Sequence, residues 1–144
     1  MITLSEENIK EISESLEMGM RCFYNPEKEE FKALPDFANQ PHADRKLWGD
    51  EIDQIDLVLQ KCVVFEPMST SESFKIMEEF VEIVGDEELQ ERLYDAIHRW
   101  KPFRNFKYQI DSSENYRQLW FYFKGEKYIE YTKQQLSDWN RKKK

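Results

Sequence analysis

The spacing of apolar positions changes along the chain, and the predicted structure changes with it. Ile9, Ile12 and Leu16 recur at helical spacing. Thr3 or Ser5 can cap this first helix, acidic Glu6 and Glu7 suit its positive end, and Gly19 is a natural stop. Met20 to Tyr24 and Phe31 to Leu34 then read as strands, joined by the turn-forming run Asn25-Pro26-Glu27-Lys28. Residues 35–46, with Pro35, Asn39 and Pro41, lack periodicity and read as a loop. Ile52, Ile55 and Leu59 suggest a short helix capped by Asp50. Cys62 to Glu66 is β-branched and aromatic and reads as a third strand, ended by Pro67. A three-stranded antiparallel sheet is the economical assembly.

Beyond Pro67 the period becomes helical throughout. Ser71 is the expected cap of a helix with the stripe Phe74, Met77, Phe80, Val81 and Val84. Gly85 closes it. Asp86 caps the next, which buries Leu89, Leu93, Ala96 and Ile97 and offers Glu88–Arg92 and Asp95–Arg99 as pairs four residues apart. Pro102 suits the first turn of a third helix, on which Phe103, Phe106 and Ile110 face one way. Ser113 can cap the last segment, which runs towards Asn140 ahead of a frayed basic tail, residues 141–144. In that segment Tyr116, Leu119, Trp120 and Phe123 cluster on one side, and Ile129, Leu136 and Trp139 nearly opposite. Either the helix breaks at Gly125 or an unbroken helix is buried on different faces along its length; the break is the favoured alternative. The fold class is therefore α+β. One domain spans residues 1–144: a helix plus small sheet over 1–68, and a helical region over 69–140. Most of the aromatics lie from Phe74 onward, so the helical half is expected to hold the main core.

Composition narrows the function classes. The 144 residues are 40% hydrophobic and 15% aromatic, enough for a core, and 35% charged with a net charge of −8. That balance disfavours general affinity for nucleic acid. Cys22 and Cys62 form no C-x-x-C and read as reduced core thiols. No signal peptide is visible and no apolar run approaches the roughly 20 residues that span a bilayer, so a cytoplasmic, non-membrane protein is expected. His42 and His98 sit in no catalytic motif. Glu78, Glu79 and Glu82 follow a solvated helix face, and Asp50, Asp53 and Asp56 lack the glycine and terminal glutamate of a calcium loop. No two glycines form a phosphate cradle. No catalytic residue, metal or cofactor is expected, and the weight falls against an enzyme.

One stretch stands apart. Between Asp95 and Asp111 there is no acidic residue, while Arg99, Lys101, Arg104 and Lys107 appear among Trp100, Phe103, Phe106 and Tyr108. Functionally, the cations would bind an anion, be it a phosphate, an RNA backbone or an acidic partner, with Trp100 or Tyr108 free to stack. Structurally, they would pair internally, Arg104 bridging to Glu79, Glu82 or the last helix, with Phe103 and Phe106 in the core. Internal pairing is favoured, because structural ion-pair networks mimic functional ones. The run Trp120-Phe121-Tyr122-Phe123 is similar: four consecutive aromatics cannot all face one way, and an exposed pair would suggest a partner surface. The expected role is a non-enzymatic protein-interaction or adaptor function through residues 99–108. Nucleic-acid or phosphate-ligand binding through the same stretch is the alternative.

Several blocks carry a resemblance. They are Glu72 to Phe80, the helix start Asp86-Glu87-x-Leu89, Leu93-x-x-Ala96-Ile97, Phe103-Arg104-Asn105-Phe106-Lys107, Trp120-Phe121-x-Phe123 and, more loosely, Leu136-x-x-Trp139. In order and spacing the run from Ser71 to Trp139 resembles a bacterial family known as uncharacterised protein family 0158. That family commonly reads Gly-Arg-Gly-Ala-Phe-Arg-Arg-Phe-Lys where this chain has Arg99 to Lys107. The resemblance implies an architecture and no activity.

Overall fold

The computed structural model describes residues 1–35, 49 and 62–142. Its elements are α1 (Glu6–Glu17), β1 (Met20–Asn25), β2 (Glu30–Pro35), β3 (Val63–Phe65), α2 (Thr70–Ile83), α3 (Glu87–Ile97), α4 (Pro102–Ile110) and α5 (Glu114–Lys142). The α+β class is borne out. The chain divides into two compact units: Met1–Met68 with Tyr128–Lys144, and Ser69–Lys127. The expected short helix from Asp50, its Asp53 and Asp56, His42, the tail residues Lys143 and Lys144, and the loop after Pro35 lie outside the described residues. Pro35 itself, expected in that loop, ends β2.

In the sheet unit, Ser5 is the cap of α1: its Oγ accepts from the Asn8 N–H at 3.1 Å. Gly19 follows the helix in the left-handed region (φ 82°), the backbone that glycine adopts without a Cβ penalty. The sheet order is β2-β1-β3, antiparallel throughout. The hairpin closes because Asn25 Oδ1 accepts from the Glu27 N–H at 3.0 Å and the Lys28 N–H at 3.4 Å. β3 is three residues long, shorter than the expected Cys62–Glu66.

Alternation along the strands sorts the side chains. Cys22, Tyr24, Val63 and Phe65 form one buried cluster with Ile12 and Leu16 of α1 and with Tyr128 and Leu136 of α5. Phe23, Leu34 and Cys62 form another. The sheet unit thus has a core of its own.

Polar groups in this unit are matched to each other across long sequence distances. The Gln135 amide accepts from the Glu66 N–H (2.8 Å) and donates to the Glu66 carbonyl (3.0 Å). The Asn140 amide does the same with the Ile2 N–H (2.9 Å) and carbonyl (3.0 Å). Each side-chain amide so behaves as a further peptide group, satisfying backbone that no strand pairs. Arg21 grips Glu66 through two hydrogen bonds of 2.8 and 2.6 Å. The buried hydroxyls of Ser13 and Thr132 meet at 2.8 Å.

In the helical unit, α2 is capped by Ser69 rather than by the expected Ser71. Ser69 Oγ accepts from the Glu72 N–H (3.2 Å) and Glu72 reaches back to the Ser69 N–H (3.1 Å). This reciprocal pair requires Ser and Glu three apart, which Ser71 lacks. Asp86 caps α3 as expected, accepting from the Leu89 N–H at 3.1 Å. Phe80 is the aromatic centre, with ring contacts to Phe106 (6.4 Å), Trp120 (5.2 Å) and Phe123 (5.4 Å) at steep angles.

The favoured break at Gly125 does not occur. α5 is continuous from Glu114 to Lys142. Its first part buries Trp120 and its second part Tyr128, Thr132 and Leu136, on different sides of one helix. A mid-helix glycine costs only about 1 kcal/mol relative to alanine, which packing on either side of it outweighs. The helix also outruns its expected end, with Arg141 held to Asp138.

Candidate functional site: the corner between α3 and α4

Ile97 ends α3, and His98 closes it. The His98 ring lies 4.4 Å from the Tyr94 ring and its Nδ1 bonds the Tyr94 carbonyl at 2.7 Å. The chain turns through Arg99, Trp100 and Lys101 before Pro102 opens α4. Proline disfavours right-handed helical backbone in the residue before it. Lys101 adopts the left-handed region instead, at φ 57° and ψ 62°. The turn is secured by Asn105, whose side chain donates to the Trp100 carbonyl (2.8 Å) and whose N–H donates to the Lys101 carbonyl (3.1 Å).

Lys101 is the position that sequence reasoning missed as conformational. The backbone takes a glycine-like conformation here while carrying a lysine, at a cost of roughly 1–2 kcal/mol for an L-residue.

The six residues singled out in the sequence all reach solvent. Trp100 is 86% exposed and Tyr108 76%. Arg99, Lys101, Arg104 and Lys107 are exposed as well. Arg99 pairs with Asp95 at 2.6 Å, on the surface. Its counterpart, Glu88–Arg92, does not form: two exposed long side chains gain too little from pairing to be ordered by it. Among the described residues no carboxylate pairs with Lys101, Arg104 or Lys107.

The favoured internal pairing of Arg104 is thereby corrected. Glu79 is taken by Lys127 of α5, at 3.2 Å. Going round α4 at about 100° per residue, buried Phe106 and Ile110 are followed by Phe103, Lys107, Arg104 and Tyr108. Arg104 so points away from the buried stripe. Phe103, expected in the core, is 40% exposed, and its ring stands at a steep angle to that of Phe74, the centroids 6.4 Å apart.

The neighbouring part of α5 adds exposed apolar surface. Of the four consecutive aromatics, Trp120 is buried, Phe123 half-buried, and Phe121 and Tyr122 exposed. Leu119, expected on the buried side, is exposed too. Arg117 reaches Asp111 at 3.4 Å and lies 5.3 Å over the Phe121 ring, with Lys124 5.8 Å from the same ring.

Both cysteines are buried free thiols, and burial pushes Cys22 up to about 11 and raises Cys62, the opposite of an activated nucleophile. Among the described residues, no cluster of His, Cys, Asp and Glu could hold a metal ion, and no helix is long and apolar enough to cross a membrane.

A UPF0158 protein of Pseudomonas aeruginosa is 25% identical to this chain over 79 residues, which are 55% of this chain and 52% of that protein. The chain spans about half the length of this curated relative. No solved structure matches it. The sequence model of the uncharacterised protein family UPF0158 matches residues 38–144, and the chain belongs to that family.

Proposed function

We propose that the protein is a non-enzymatic interaction protein of the cytoplasm, and that the α3–α4 corner is its partner surface. One observation carries this reading: Trp100 and Tyr108 stand in solvent beside Lys101, Arg104 and Lys107, none of which pairs with a described carboxylate. Trp, Tyr and Arg dominate the energetics of protein interfaces, where their area is buried by the partner rather than by the fold. An exposed Trp that supports no core of its own chain is otherwise a liability.

Affinity capture from cell extract, with and without nuclease, tests it. Companions are expected to survive nuclease and to be lost with Trp100→Ala or Arg104→Glu. Companions retained equally by both variants would refute the assignment of the surface. The second reading, nucleic-acid binding, is favoured by the stacking rings and unpaired cations of the same corner. It predicts companions that vanish with nuclease and salt-sensitive retention of nucleic acid.

A further inference from the structure

We infer that the partner seated at the α3–α4 corner is a short acidic segment of another protein, carrying an apolar side chain among its carboxylates. This rests on the reading of the corner as an interaction surface.

The length of the surface comes first. Its cations lie on the turn and on α4, a helix of nine residues. At 1.5 Å per residue that helix is only about 13 Å long, a match for two helical turns or a few extended residues of a partner. Charge comes next. The corner is cationic, with Lys101, Arg104 and Lys107 paired to no described carboxylate, while the exposed face of the preceding helix carries Glu87, Glu88, Glu91 and Asp95, the last already paired with Arg99. A nucleic-acid strand running past the corner would meet these carboxylates with its own charge. A short acidic segment meets only the cations.

The order of side chains supplies the apolar element. Around the exposed side of α4, Lys107 and Arg104 lie next to each other, flanked by the rings of Phe103 and Tyr108, and Trp100 stands in the turn before the helix. A purely anionic polymer would leave half-exposed Phe103 without a counterpart. A segment of mixed Asp or Glu with Leu or Phe covers rings and cations together. Arg104 can hold one carboxylate through two parallel hydrogen bonds.

Selection from a library of short random peptides tests this, with wild-type protein as bait and Arg104→Glu as counter-bait. Circular dichroism would first establish that the variant folds. A labelled oligothymidylate serves as the nucleic-acid probe. Retained peptides are expected to combine acidic with aromatic or aliphatic residues. Their binding should weaken roughly tenfold or more with Arg104→Glu, and more at high salt. Retained peptides without acidic residues would overturn the inference while leaving the corner a binding surface. Oligothymidylate bound in preference, and lost with Arg104→Glu, would overturn it in favour of nucleic acid. Failure of both probes, or retention unaffected by Arg104→Glu, would overturn the inference and the corner reading together.

Discussion

The two units treat their polar and aromatic side chains in opposite ways. In the sheet unit they are matched within the chain: Gln135 to Glu66, Asn140 to Ile2, Arg21 to Glu66, and Ser13 to Thr132. The helical unit gathers Phe80, Phe106 and Trp120 into its centre, yet leaves Trp100, Tyr108, Phe121 and Tyr122 in solvent beside cations. Groups satisfied by their own chain have nothing further to offer a partner. Groups left in water still have desolvation and pairing to gain, and this difference is the ground on which the α3–α4 corner is proposed as a partner surface.

The contrast can be broken most forcefully at the centre of the helical unit. Phe80→Ala removes three ring contacts and is expected to destabilise the protein by about 3–5 kcal/mol, read by urea denaturation. A loss below about 1 kcal/mol would mean that the aromatic centre is not a packed core.

The sheet unit is tested by pH. Burial raises the Cys22 thiol from 9.0 to about 11, so the fold favours its neutral form. The corresponding stability is fully present below pH 9 and is lost as pH rises from 9 through 11, by on the order of 2 kcal/mol. Denaturation of wild type and Cys22→Ala across that interval checks the sign: the variant should lose less stability as pH rises. Parallel slopes would show that the thiol is not held neutral.

The smallest effect sharpens the comparison at the corner. Lys101→Gly relieves the left-handed backbone of a lysine and is expected to stabilise by roughly 0.5–1 kcal/mol, after the entropic penalty of glycine in the unfolded chain. Thermal unfolding checks it. Destabilisation would mean that the Lys101 side chain is held by the fold and is not available to a partner.

Much of this architecture is legible along the chain because it is local. The hairpin follows from Asn25-Pro26 and the flanking alternation, α1 from Ser5 and the Ile9-Ile12-Leu16 spacing, and α3 from Asp86. Ser71 reads as the cap of α2 because it precedes the apolar stripe; Ser69 takes that role because Glu72 stands three residues after it. The candidate surface was visible as a composition, an acid-free run with four cations and interleaved rings. Its exposure was not, since Glu79 and Glu82 lie at plausible spacing to receive Arg104, and no local rule ranks Lys127 above it.

Element types and the alternation of faces along the strands were thus settled by the sequence alone, because their energetics act over a few residues. Tertiary structure decided that α5 runs unbroken through Gly125, since packing on both sides of that residue outweighs a local propensity of about 1 kcal/mol. It also decided which amides serve which backbone groups, Gln135 with Glu66 and Asn140 with Ile2, partners separated by 69 and 138 positions. The outward Arg104 belongs to the same class. A charge among several carboxylates takes its partner from the side of the helix on which packing leaves it, and packing of Phe106 and Ile110 left Arg104 facing water.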